Sequence, residues 1–169
     1  DMLYRLSGAN RYYSKDVYRA LLSQNMFVFH DLGRSLPFKA ETVDCFYSSH
    51  FFEHLFKADA IRLLNDMRGA LKAGGIVRIA VPDLKYAVAL YASGEKKRML
   101  EDYFFVNDLA SYLARHKYMY DFDLLSEILT DAGYVDIKQC SFGEGAAPDL
   151  ALLDNRPDDT LFVEARRRA

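Results

Sequence analysis

Residues 29–55 read FHDLGRSLPFKAETVDCFYSSHFFEHL, and the reading of this stretch decides the fold. Taken locally, its end is H-F-F-E-H. His50 and His54 are four apart, as two imidazoles on one helical face would be, and Glu53 can sit beside a metal-bound water. Taken whole, the stretch reads strand, acidic turn, short loop, strand, polar strand end, helix. Met26–His30, MFVFH, and Val43–Tyr47, VDCFY, are both nearly continuous in β-branched or aromatic residues, the composition of strands. His50 directly follows the second run, at a strand-to-helix junction, so its ring and that of His54 need not share a face.

Outward from this stretch the chain alternates between the two periods. Residues 14–23, SKDVYRALLS, suit a short amphipathic helix through Val17, Tyr18, Leu21 and Leu22. Downstream, Ala60, Ile61, Leu64, Met67 and Leu71 fall on one face of a helix that Gly74-Gly75 stops. Ile76–Val81, IVRIAV, reads as a strand buried on both faces and closed by Pro82, of the kind found in helix-covered parallel sheets. DLKYAVALY returns to the helical period, and a further helical stretch runs from about Glu95 to Arg115. Asp121 caps a helix with Leu124, Leu125, Ile128 and Leu129 that ends at Gly133. YVDIKQC and TLFVEAR then alternate, joined by a long Gly-, Pro- and Asp-rich link over 141–159. Two late strands of this kind pair antiparallel at a sheet edge. The order is β-helix-β units followed by two strands, an α/β layered fold.

Composition narrows the function classes. A chain of 169 residues suits one domain, expected here over 1–169, and buries roughly two-thirds of its unfolded surface. An apolar fraction of 51% and an aromatic fraction of 14% exclude disorder. A net charge of −2 argues against a general nucleic-acid binder, and the run Arg166–Arg168 reads as a solvated tail. No apolar run approaches the ~18 residues of a membrane span, so no membrane partner is expected. Cys45 and Cys140 lie far apart within strand-like runs, as reduced cysteines of a cytoplasmic protein do. Asp1 is not a natural start, which leaves room for a preceding segment.

The metal reading needs a third ligand. In the zinc hydrolases with this order it is a Glu from a helix well downstream; Glu95, Glu101 and Glu127 exist here without a recognisable pattern. No metal site is therefore expected, and a zinc hydrolase is the third of three readings.

A larger match absorbs the same residues. HDLGRSLPFKAETVDCFYSSHFFEHL, followed by LLNDMRGALKAGGIVRIAVPDL, resembles the class I S-adenosylmethionine-dependent methyltransferases. More narrowly it is similar to a small bacterial group of the type-11-like kind that often accompanies sugar-modifying enzymes. An acidic turn after one strand, LPF before the next, S-S-H-x-x-E-H-L leaving it, and Gly-Gly before a strand ending in PDL carry the likeness. YMYDFDLLSEILTDAGYVDI, CSFGEG and LALLDNRPDDTLFVEAR extend it, so that residues 26–169 resemble the group. The resemblance implies a Rossmann-like sheet, mostly parallel with a C-terminal antiparallel pair, and S-adenosylmethionine as cofactor. It implies that Asp31 accepts a hydrogen bond from the adenine amino group and that the Leu32 N–H faces the ring. It places Ser48, Ser49 and His50 beside the sulfonium portion, and His54, Pro82, Asp83 and His116 around the acceptor. A base, where one is used, is then His50, His54 or His116, because imidazole titrates near neutrality.

The N-terminal part departs from the pattern. The resemblance calls for a strand running into a glycine-rich loop and an acid for the ribose. Here MLYRLSGAN offers only Gly8, with Tyr4–Ser7 as a residual strand, and Asp16 falls inside a helix. Residues 1–25 are thus expected to be an atypical, incomplete or remodelled segment. The leading expectation is methyl transfer to a hydroxyl or amine of a small molecule or sugar. The alternative, from a different class, is a non-catalytic methyltransferase-like module that binds a partner or forms a homodimer.

Overall fold

The computed structural model describes residues 14–105 and 115–169. The chain divides into two compact units, 1–31 and 32–169. In the first, helix α1 spans Lys15–Gln24, and the Ser14 hydroxyl accepts from the Val17 N–H at 3.3 Å as an N-cap. Met26–His30 is not a strand. The run is coil with Met26, Phe27, Val28 and Phe29 largely exposed, because strand propensity is realised only against a neighbouring strand. Tyr4–Ser7 and Gly8 lie outside the described residues.

The second unit is built on a four-stranded sheet. Strand β1 (Val43–Ser49) leads through a 3-10 turn at Phe52–His54 into helix α2 (Lys57–Ala70), which returns to strand β2 (Leu71–Pro82). Asp83 caps helix α3 (Leu84–Ala92) by accepting from the Lys85 N–H. A short helix α4 (Lys96–Met99) and a π turn at Leu100–Phe104 follow, in place of one long helix from Glu95; residues 106–114 are outside the described chain. Helix α5 (Phe122–Asp131), capped by Asp121, strand β3 (Tyr134–Cys140), the four-residue helix α6 (Leu150–Leu153) and strand β4 (Thr160–Arg167) complete it. The strand order is β1-β2-β4-β3. β1 and β2 are parallel, and β4 is antiparallel to both of its neighbours, so three strands share one direction. The sheet class and the late antiparallel pair agree with the sequence.

Alternation along β2 and β4 sends successive side chains to opposite faces. Val77, Ile79 and Val81 of β2, with Leu161, Val163 and Ala165 of β4, face Leu63, Leu64 and Met67 of α2 and Leu125, Ile128 and Leu129 of α5. Leu64 is fully buried; covering a side chain of this size contributes about 1.5–3 kcal/mol. The Tyr134 hydroxyl donates to the Leu64 carbonyl at 3.0 Å and joins β3 to α2. Leu71 starts β2 rather than ending α2. Val43 pairs with Leu71 and Cys45 with Ile76, a bulge that Gly74 permits with φ of 72°.

The other face carries Arg78 and Glu164, which are paired in register. Both are buried by the 141–159 link, so the long loop is a cover for the sheet. Arg166 and Arg167 belong to β4 and are not a solvated tail. Arg166 donates to the Gly74 carbonyl, and Arg167 donates to the Leu71 carbonyl and pairs with Glu41. No helix among the described residues is long and apolar enough to cross a membrane.

Candidate active site

Open α/β sheets bind ligands beyond the carboxyl ends of their parallel strands. Here those ends are Ser49 and Pro82, and the residues that follow them converge. His50 adopts φ of 48°, the left-handed region. Its N–H donates to the Ala80 carbonyl at 2.8 Å, and its Nε2 lies 3.2 Å from the Thr160 hydroxyl at the start of β4. A sharp turn is thus held between β2 and β4. The 3-10 turn after it brings Phe52 and Glu53 into the interior.

Between β1, α2 and the segment 32–38 lies a cavity of about 300 Å³, at the lower end of the ~300–1,000 Å³ range of ligand pockets. Its apolar walls include Leu32, Phe38, Phe46, Leu63 and Met67, with Phe38 edge-on to Phe46 at 5.7 Å. Ser48 and Ser49 supply hydroxyls. Ser49 is engaged with Asn155 at 3.1 Å, whereas the Ser48 hydroxyl makes no hydrogen bond among the described residues. The Leu32 carbonyl accepts from Arg62 at 3.0 Å, which ties the cavity's outer segment to α2. No charged side chain among the described residues lines the cavity. Its donor set suits an aromatic, hydroxyl-bearing group, as the adenosyl part of S-adenosylmethionine is.

Beside this cavity the described histidines of the second unit gather around one carboxylate. The Glu53 side chain is 1% exposed, and neither of its oxygens has a hydrogen-bond partner among the described residues. His50 Nδ1 stands 3.6 Å from Glu53 Oε1, and His54 Nε2 stands 3.7 Å from the same atom. The 116–120 segment packs alongside, because the Lys117 and Tyr118 N–H groups both donate to the Glu53 carbonyl. It brings the His116 ring edge-on to His54, centroids 5.1 Å apart. His116 Nδ1 donates to the Tyr103 carbonyl, and His54 Nδ1 faces the Arg115 carbonyl at 3.3 Å. Burial pulls the His116 imidazole below its ordinary 6.5; the Tyr103 carbonyl and Glu53 oppose this, and the charges of His54 and His50 add to it. Burial likewise pushes the Tyr120 phenol up, and its hydroxyl has no hydrogen-bond partner among the described residues.

Of the residues expected from the sequence, Leu32, Ser48 and Ser49 line the cavity, and His50, His54 and His116 form the cluster. Asp83 caps α3 at the same end and bridges to Tyr120. Gly8 is outside the described residues, and Asp31 closes the first unit. Of the downstream carboxylates that the sequence offered without a pattern, Glu95 pairs with Arg98 and Glu101 with Lys97 at the solvent-facing surface of α4 and the turn after it. Sequence reasoning missed Tyr120 and Thr160. The first sits in YMYDF, where only its burial marks it, and the second carried no signal.

The methyltransferase-domain family matches residues 9–79. No curated protein matches. Among solved structures, an S-adenosylmethionine-dependent methyltransferase from Archaeoglobus fulgidus is 16% identical with a TM-score of 0.56, over 90% of this chain and 72% of that one. One from Mesorhizobium loti is 20% identical with a TM-score of 0.53, over 91% and 77%. The methyltransferase SibL is 19% identical with a TM-score of 0.60, over 92% of this chain but only 39% of its own length. At these identities the likeness is one of fold.

Proposed function

We propose that the chain is a class I S-adenosylmethionine-dependent methyltransferase that methylates a hydroxyl or amine of a small molecule or sugar, a reading that its family match over residues 9–79 and its fold support. One observation carries the reading: an apolar, serine-edged cavity and an imidazole cluster share the carboxyl end of the sheet. When bound, the cofactor supplies a methyl group on a sulfonium, which an acceptor lone pair takes while the carbon–sulfur electron pair returns to sulfur.

The cavity walls, Phe46 and Leu63 among them, exclude water from the adenosyl portion, and the Ser48 hydroxyl is free to hydrogen-bond to it. To Asp31 we assign the adenine amino group, to the Leu32 N–H the ring edge, and to Gly8 close backbone approach. His50, His54 and His116, with Pro82 and Asp83, we assign to the acceptor side, where an imidazole receives the proton that the acceptor sheds. Alignment does most of the work, since holding two reactants in line can supply about 7–11 kcal/mol of a barrier. Unpaired Cys45 and Cys140 suit the reducing cytoplasm, where we place the protein.

Calorimetric titration with S-adenosylhomocysteine tests the reading. Saturable one-site binding that Asp31→Ala weakens is the expected result. A folded protein that takes up no S-adenosylhomocysteine would remove methyl transfer and leave the fold untouched.

A further inference from the structure

We propose that Glu53, His54 and His116 form a site for one divalent transition-metal ion, with Zn²⁺ the best match to two imidazoles and a carboxylate. The inference does not rest on methyl transfer, because its test reads the metal.

The carboxylate makes the first argument. Glu53 is buried, and both of its oxygens lack hydrogen-bond partners among the described residues. A carboxylate in that position calls for a compensating cation or proton. The nearest histidine nitrogens, His50 Nδ1 at 3.6 Å and His54 Nε2 at 3.7 Å, are too far away to be hydrogen-bonded to it. The His54 separation is close to the ~3.3 Å edge between two ligands held 2.0–2.1 Å from a tetrahedral zinc.

The tautomers make the second argument. A backbone carbonyl only accepts, so Nδ1 of His54 and Nδ1 of His116, facing the carbonyls of Arg115 and Tyr103, each carry the ring proton. With the proton on Nδ1, the nitrogen left to hold a metal on each ring is Nε2. For His54 that nitrogen faces Glu53 Oε1, which is also an acceptor. Two acceptors face each other across a gap that a cation fills. Anchoring the second ring nitrogen to a carbonyl is the usual support of a metal-bound imidazole.

The third argument is convergence. One donor atom from each of the three residues lies within 4.8 Å of the others. His50, which the H-x-x-E-H spacing offered as a ligand, stays outside it with Nε2 on Thr160. Three protein ligands leave a fourth position open, as in catalytic zinc sites, and an acceptor oxygen or nitrogen can occupy it. His54 and His116 then serve as ligands rather than proton acceptors.

The test uses the full chain prepared without a polyhistidine tag and stripped with chelator. Titration with Co²⁺ is expected to saturate at one equivalent with the visible absorption of a four-coordinate ion, and Zn²⁺ is expected to displace it. Glu53→Gln, which keeps the side-chain volume, and His116→Ala are each expected to weaken binding by more than tenfold, while His30→Ala leaves it unchanged. If a variant fails to fold, the wild-type titration decides alone. No uptake of Co²⁺ or Zn²⁺ by folded wild type, or equal uptake by folded Glu53→Gln, overturns the site and makes the cluster a proton-holding one.

Discussion

Arg78 and Asp154 are joined by two hydrogen bonds, Nε to Oδ1 at 3.0 Å and Nη2 to Oδ2 at 2.6 Å, with both side chains fully buried. The same guanidinium reaches Glu164 at 3.0 Å, the carbonyls of Ser141 and Glu144, and the face of the Phe162 ring at 5.1 Å. A long polar loop is thereby clamped onto a strand that its sequence marks as core. Removing one partner leaves the other charge buried, so Asp154→Ala is expected to lower the unfolding free energy by about 3–5 kcal/mol in urea titrations. Burial alone would raise the Asp154 carboxyl. Hydrogen bonds from Arg78 and the Gly143 N–H, the Arg78 charge and the Tyr47 hydroxyl outweigh it and hold the group below its ordinary 3.8. The folded pKa is depressed, so this stabilisation is complete above the ordinary value and is lost as pH falls through the lower folded one. Below about pH 4 the urea midpoint of the wild type should therefore drop more steeply than that of Asp154→Ala.

Gly145 lies against this clamp. A Cβ there would stand 2.2 Å from Glu164 Oε1 and 2.7 Å from Arg78 Nη1. The two side chains are pinned by their own pairing and cannot yield. Gly145→Ala is expected to cost about 1–3 kcal/mol, the range of overpacked sites. Gly143→Ala nearby meets open space around its Cβ, although its positive φ strains any side chain. Gly145→Ala with wild-type stability would mean that the loop is not clamped as described.

What was legible in the sequence follows from period and range. α2, β1 and β2 announce themselves through spacing along a single segment, and Asp121 and Gly133 punctuate α5 from within it. Met26–His30 misleads because composition speaks only to strand propensity, and pairing is a property of two segments. Arg78 stands inside a run that reads as buried on both faces, and its two carboxylates come from residues far downstream that no local spacing connects to it. The candidate site divides the same way. Ser48, Ser49 and His50 are visible as a strand end, whereas the approach of His116 to His54 depends on a long-range contact through the Glu53 carbonyl. The buried state of Glu53 is likewise invisible, since the same H-F-F-E-H string would suit an exposed helix.

The cavity makes Ser48 informative. Its hydroxyl has no hydrogen-bond partner among the described residues, so removing it orphans no group among them. Ser48→Ala should leave the unfolding midpoint unchanged. It should weaken S-adenosylhomocysteine by roughly 2- to 10-fold, the scale of one hydrogen bond of about 0.5–1.5 kcal/mol. Ser49→Ala, whose hydroxyl is bonded to Asn155, should instead show its effect in stability. The two variants, compared by calorimetry and by urea unfolding, separate a ligand contact from a structural one. Equal effects in both measurements would count against the cavity as the adenosyl site.

His50 carries the last prediction, because its backbone is costly for what it is. At φ of 48° a residue with a Cβ is disfavoured by about 1–2 kcal/mol, and the bonds to Ala80 and Thr160 hold it there. His50→Gly removes that cost and loses one hydrogen bond, two changes of similar size and opposite sign. His50→Val keeps the cost, adds the crowding of a β-branched side chain, and loses the hydrogen bond as well. In urea unfolding His50→Gly should fall near the wild type, with His50→Val at least about 1–2 kcal/mol lower. Because the turn sets the mouth of the cavity next to Ser49, the Gly variant should also keep its affinity for S-adenosylhomocysteine while the Val variant loses part of it. Equal stability of the two would show that the turn relaxes out of the left-handed region, and the strand end would then be soft rather than preorganised.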